Sequence, residues 1–217
     1  MVFDRDLRIT ILGNAGVGKT TLIKRLKGEP LDDSEKTTHI SIERKKLKLL
    51  SQKDASRFDV ERYRYYNIIA VDTPGDFTLR RQWRVAMAKY KADGIIFILD
   101  PLQNFVVQRS ALEDAFNYYL DSLDLSPAKA DKIAKTKKAI FYFIVNKIDL
   151  LDDDLIRSEQ KGLDFLEKFK DTINVYYSRF PQSQFRESYI SVQKSQYERI
   201  DRIFEVIKLA LYESKNN

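Results

Sequence analysis

Residues Gly13-Asn14-Ala15-Gly16-Val17-Gly18-Lys19-Thr20 spell G-x-x-x-x-G-K-[ST], and no other stretch limits the fold so severely. The pattern carries meaning only between a strand and a helix, and its flanks predict both. Leu7, Ile9 and Ile11 alternate with Arg8 and Thr10 ahead of Leu12, the period of a half-buried strand. Behind it, Thr21 opens a run in which Leu22, Ile23 and Leu26 fall on one helical face. Glycines let successive backbone N–H groups turn inward around a phosphate, and a helix N-terminus adds partial positive charge. Lys19 is then expected at the outer phosphates and the Thr20 hydroxyl on Mg²⁺, with residues 13–21 as the phosphate-contacting run.

The chain of 217 residues shows the same strand-and-helix alternation throughout. Strands are expected at Ile40–Leu49, Tyr65–Val71, Gly94–Leu99 and Ala139–Val145, with a short one at Tyr189-Ile190. Helices are expected at 80–91, 109–124, 155–177 and 194–214. This predicts an α/β fold: a six-stranded, mostly parallel sheet with one antiparallel strand and helices on both faces. There is no repeat, low-complexity tract or Gly/Ser linker, so one domain over 1–217 is the simplest organisation.

Hydrophobic residues make up 43% and charged residues 32%, with a net charge of +6, the balance of a soluble globular chain. No apolar run approaches the ~20 residues of a membrane helix. Cysteine is absent and Val2 stands where myristoylation needs glycine, so no lipid acceptor is expected and a cytoplasmic location fits.

Two further motifs follow in fixed order. Asp72-Thr73-Pro74-Gly75 closes a strand, where open α/β sheets bind ligands. Asp72 can hold Mg²⁺ through water and the Gly75 N–H can reach a terminal phosphate, although alone this is a common turn. Asn146-Lys147-Ile148-Asp149 closes the next apolar strand but one. One carboxylate, Asp149, can accept from the adjacent N1–H and amino groups that guanine presents and adenine lacks. The Lys147 stem would lie along the base, and Asn146 would tie this loop to the phosphate loop. Ser191-Val192-Gln193, after the last strand, offers backbone N–H groups to the guanine oxygen.

With these residues the sequence resembles the Ras-superfamily small GTPases over nearly its whole length. Within that superfamily it is most similar to the Arf branch and the β subunit of the signal-recognition-particle receptor. Leu79-Arg80-Arg81-Gln82-Trp83-Arg84 after Gly75, and Ala92-Asp93-Gly94-Ile95-Ile96-Phe97-Ile98-Leu99-Asp100, carry the branch resemblance. It implies GTP/GDP and Mg²⁺ as ligands, with hydrolysis by water attack on the γ-phosphate assisted by Lys19 and Gly75. It also implies switch loops that meet effectors, an exchange factor and a GTPase-activating protein. A switch threonine over Mg²⁺ is implied too. Thr37 puts Ile40 and Ile42 where the family's next strand begins, and Thr38 fits nearly as well by distance from Lys19.

Several departures from the family stand out. Asp76 replaces the glutamine that follows the family glycine. An ionised carboxylate only accepts hydrogen bonds and brings negative charge towards the γ-phosphate. Slow intrinsic hydrolysis is expected, compensated by a partner or by Arg80 or Arg81; alternatively Asp76 simply faces solvent. A stably GTP-bound assembly subunit is the second reading, and a P-loop ATPase or kinase is disfavoured by the Asn146–Asp149 motif. The interswitch hairpin at 44–62 and the stretch Ser126–Lys138 are longer than usual. The latter holds Lys129, Lys132, Lys135, Lys137 and Lys138 and reads as a solvated charged loop. Contact with RNA or a membrane surface through such basic patches is the competing reading. Trp83 is either core or partner-facing, and His39 is expected to be exposed with no catalytic task.

Overall fold

The apolar runs Gly94–Leu99 and Ala139–Val145 become strands covered on both faces. A computed structural model describes residues 5–29, 31, 39–50, 63–124, 126–194, 200, 202–207 and 209. Its sheet has six strands in the order β2-β3-β1-β4-β5-β6. These are β1 Arg5–Leu12, β2 Ser41–Leu50, β3 Tyr63–Asp72, β4 Gly94–Leu99, β5 Ile140–Val145 and β6 Gln184–Tyr189. Only β2 runs antiparallel, paired with β3 from Ser41↔Asp72 to Leu50↔Tyr63; the other pairings are parallel. The expected sheet is thus present, and the connection 51–62 of the long hairpin lies outside the described residues.

β4 and β5 are buried at every position, as strands covered on both faces must be. Alternation divides their side chains. Phe97, Phe141 and Phe143 join Trp83, Phe116 and Tyr119 in one core, while Ile96, Ile98, Ile140 and Ile144 join Leu22, Ile203 and Phe204 in the other. The helices are α1 Lys19–Lys27, α2 Arg81–Tyr90, α3 Phe105–Leu123, α4 Pro127–Thr136, α5 Leu155–Glu167 and α6 Lys170–Arg179. Residues 202–207 are also helical. Trp83 proves to be core: it is fully buried, its indole N–H donates to Pro74 O at 2.7 Å, and its ring meets Phe97 edge-on.

Four expectations need correction. The stretch Ser126–Lys138 is not a loop but contains α4. Pro127 sits at the first helical turn, where its missing N–H is harmless. Ala130 and Ala134, one turn apart, are buried where α4 packs on α3 and α6, leaving the lysines outward. The single helix expected over 155–177 is two. Phe169 breaks it by dropping fully into the core against Phe105 and Phe165, at ring separations of 4.9 and 5.3 Å. α3 starts at Phe105 rather than 109, because the Asn104 side chain caps it by accepting from the Val106 and Val107 N–H groups. The last strand begins at Gln184, five residues before the expected Tyr189.

Burial of the two alanines predicts how α4 responds to substitution. Ala134→Asp places a carboxylate in an apolar contact and is expected to cost about 2–5 kcal/mol in urea unfolding. Lys132→Ala, on the exposed face, should stay within about 0.5 kcal/mol; equal effects would contradict this packing.

Candidate nucleotide-binding site

Parallel pairing brings the carboxyl ends of β1, β3, β4 and β5 to one edge of the sheet, which delivers Gly13, Thr73, Asp100 and Asn146 side by side. From β1 the chain crosses to β3 on one side, and β4 lies on the other, so the crevice opens at the topological switch point.

The phosphate loop turns tightly into α1. Gly18 caps the helix with φ 101°, and a Cβ there would lie 2.5 Å from Asn146 Nδ2; only glycine satisfies both conditions. Val17 is buried, while Ala15 and Gly16 are exposed at the loop's mouth. Lys19 Nζ is buried and donates to Gly13 O at 3.0 Å and Asn14 O at 2.9 Å. Burial lowers its pKa to about 8, against an opposing pull from Asp72. Thr20 Oγ1 donates to Asp72 Oδ2 at 2.8 Å, and Thr21 follows in the first turn of α1. A hydroxyl and a carboxylate converging beside a phosphate cradle are hard oxygen donors of the kind Mg²⁺ takes alongside water and phosphate, so the residues present fit that ion.

Asn146 joins the two ends of the site. Its amide N–H₂ donates to Val17 O and its carbonyl oxygen accepts from Val192 N–H, each at 2.7 Å, with the side chain buried. Lys147 adopts a left-handed conformation, φ 62°, and pairs with the buried carboxylate of Asp100 at 2.7 Å. Asp149 meets Lys194 at 2.9 Å. Burial pushes the Asp149 pKa up, but hydrogen bonds from Lys194 and Ser191 outweigh this and hold it below the usual carboxylate range. An ionised carboxylate is thus held between the end of β5 and the last loop. In that loop Ser191 and Val192 are buried, and the Gln193 carbonyl accepts from Arg25 of α1.

Thr73 Oγ1 donates to Ile11 O at 2.8 Å, tying the start of the next loop to the end of β1. A Cβ on Gly75 would run into the Asn14–Ala15 peptide, so that approach requires glycine. Asp76 is exposed and caps a 3-10 turn over Phe77–Leu79, accepting from the Thr78 N–H at 2.8 Å and the Thr78 hydroxyl at 2.6 Å. Arg80 and Arg81 are the compensating groups expected from sequence. Arg80 is instead buried among other partners, whereas Arg81 is exposed on α2. His39 is exposed as expected. Thr37 and Thr38 lie outside the described residues.

A family model described as 50S ribosome-binding GTPase matches residues 8–147, running from β1 through the phosphate loop to Lys147. The chain belongs to this GTPase family. Membership makes a guanine nucleotide the expected ligand of the crevice. The chain is also 30% identical over 97 residues to ADP-ribosylation factor-like protein 2 of Drosophila melanogaster, a stretch covering 45% of this chain and 43% of that protein.

Three groups around the GTPase crevice escape the sequence reading. Gln103 donates to Ala15 O at 2.9 Å, Asp114 pairs with Arg80 at 3.1 Å, and Lys194 pairs with Asp149. None belongs to a motif. The one available cue, a lysine one residue beyond Ser191-Val192-Gln193, is visible only in hindsight.

The lowered pKa of Lys19 gives a signed prediction. An unfolded lysine keeps its proton to about 10.5 and the folded one to about 8. The buried charge therefore opposes folding below pH 8, and this penalty fades as pH rises from 8 towards 10.5. Phosphates restore the charge, so guanine-nucleotide binding at pH 8.5 should take up protons and weaken as pH rises further. Titration calorimetry in two buffers of different ionisation enthalpy measures this; binding with no proton uptake would contradict it.

Proposed function

We propose that this protein is a Mg²⁺-dependent GTP-binding and GTP-hydrolysing switch with slow intrinsic hydrolysis, under the control of partner proteins. The observation that carries the reading is the pair of hydrogen bonds by which Asn146, on the loop bearing the ionised Asp149, holds the phosphate loop at Val17 and the last loop at Val192. Phosphate and base recognition then occur in one crevice. Asp149 would accept from the guanine N1–H and amino group, while the Lys147 stem and the Ser191-Val192-Gln193 backbone would complete the base pocket. Residues 13–21 would hold the phosphates, and Thr20 with Asp72, joined by Thr37 or Thr38, would hold Mg²⁺. The bound ion would neutralise charge on the β- and γ-phosphates.

This chain's own groups then account for the reaction. Lys19 stays within reach of the outer phosphates because two loop carbonyls fix its amine. Loop N–H groups and the Gly75 N–H would stabilise charge developing on the γ-phosphate oxygens. Asp76 can accept from the attacking water but cannot donate to it, and its charge opposes the γ-phosphate. Contacts to the γ-phosphate would order the 30–40 and 75–84 loops, and effectors and regulators would read that order. Arg80 and Trp83 at their offsets from Gly75, together with the partial relative, support an Arf-like placement. One domain over 1–217 in the cytoplasm completes the reading, and no helix among the described residues is long and apolar enough to cross a membrane.

The second reading is an assembly subunit that keeps GTP bound, and Asp76 favours it. Single-turnover hydrolysis at saturating Mg²⁺, comparing wild type with Asp76→Gln, decides between them. The switch reading expects a slow but measurable wild-type rate and roughly tenfold or greater acceleration by glutamine. No turnover in either protein, with GTP retained, would favour the assembly subunit. A fast wild-type rate unaffected by the substitution would remove Asp76 from the mechanism.

A further inference from the structure

Arg80 sits where three parts of the molecule meet. It is 3% exposed, yet it carries a charge. Its Nη1 pairs with Asp114 Oδ2 of α3 at 3.1 Å. Its Nη2 donates to the side-chain oxygen of Asn14 at 2.9 Å and to Val107 O of α3 at 3.3 Å. The guanidinium carbon lies 4.9 Å from the Phe77 ring centre and 5.8 Å from that of Trp83. A planar fork is suited to this task, since it presents several donors in fixed directions. A buried guanidinium paired this way cannot swing out to serve as an arginine finger without abandoning Asp114 and Asn14, which would strand charge in a dry site.

The position of Asn14 makes the arrangement consequential. Gly75 passes so close to the Asn14–Ala15 peptide that a Cβ would collide with it. On the same rim, Gln103 donates to Ala15 O at 2.9 Å. Gln103 is itself braced, because its carbonyl accepts from the Gln108 amide of α3, which also exchanges hydrogen bonds with the Asp100 backbone. One side of the phosphate-loop rim therefore touches Gly75, and the side chains of Asn14 and Ala15's carbonyl are gripped by groups anchored on α3. The inner half of the loop is held differently, through Lys19 and Asn146.

We propose that Arg80 is a positioning residue that locks the segment carrying Gly75 and the Asn14–Ala15 rim to α3, so that the protein distinguishes a triphosphate from a diphosphate through the Arg80–Asp114 pair. The inference rests on the guanine-nucleotide reading above. It separates two properties of one crevice. Affinity for base and phosphates as a whole depends on Asn146, Asp149 and Lys19, whereas the difference between a triphosphate and a diphosphate depends on Arg80 and Asp114. Asp114, half-buried on α3 and outside the phosphate and base contacts, becomes a remote determinant of nucleotide preference.

The test is equilibrium binding of GDP and a non-hydrolysable GTP analogue to the full chain with Mg²⁺, for wild type, Arg80→Gln, Asp114→Asn and the double variant. Arg80→Gln should weaken the analogue about tenfold or more while GDP affinity stays within about threefold. Asp114→Asn should shift the ratio in the same direction by about threefold or more, and the double variant should be no worse than Arg80→Gln alone, because both changes break one pair. Asp114→Asn removes a half-exposed partner, so it keeps the test decisive where Arg80→Gln fails to fold. Equal weakening of GDP and analogue by Asp114→Asn, or no change in either, overturns the inference while leaving the guanine-nucleotide reading intact. Failure of wild type to bind either nucleotide overturns both.

Discussion

The site depends most on one buried amide. Asn146 leaves the end of β5, donates to the phosphate loop at Val17 and accepts from the last loop at Val192. Both bonds are short and both ends of the amide are satisfied, which is the condition under which a buried polar group strengthens a structure instead of weakening it. Remove it and Val17 O and Val192 N–H lose their partner in a dry interior. The close fit at Gly18, where any side chain would strike Asn146, shows that helix α1 is seated against this amide.

Everything else in the crevice follows from the sheet that delivers these loops. Both faces of β4 and β5 are packed, one with aromatic rings and the other mainly with isoleucine, so the strand ends are held by close packing that moves little. On this rigid base the two halves of the phosphate loop are secured by different partners. Lys19 and Asn146 fix the inner half, while Arg80 and Gln103 reach the outer rim from the α3 side. Trp83, hydrogen-bonded to Pro74 and packed on Phe97, keeps α2 beneath the loop that carries Gly75. The turn from Asp76 to Leu79, exposed at Asp76, Phe77 and Thr78, is left between two anchored stretches with little packing of its own.

Much of this was legible because it follows from short-range rules. The strand, glycine loop and helix around Gly13–Thr20, the buried runs of β4 and β5, and the placement of Asp72 and Asn146 at strand ends all follow from local periodicity and turn chemistry. What escaped depends on partners distant in sequence. Helix α4 was hidden because its lysines dominate the composition, whereas its formation depends on two alanines finding α3 and α6. Phe169 interrupts a good helical period only because a pocket lined by Phe105 and Phe165 awaits it. Arg80 stands out in sequence as a motif residue, but its burial depends on Asp114, 34 positions away. Sequence allows Trp83 two roles, and its packing on Phe97 of β4 in the same core decides between them.

The proposed function requires the Asn146–Asp149 loop and the phosphate loop to form one guanine-nucleotide site. Displacement of a fluorescent guanine nucleotide from the full chain by GDP and by ADP, in Mg²⁺, tests it most directly. If Asp149 accepts from the guanine N1–H and amino group as proposed, GDP should compete at least about a hundredfold better than ADP, since adenine turns an acceptor N1 towards the carboxylate where guanine turns a donor. Equal competition by the two nucleotides would contradict the assignment of the base pocket and, with it, the function proposed for this chain.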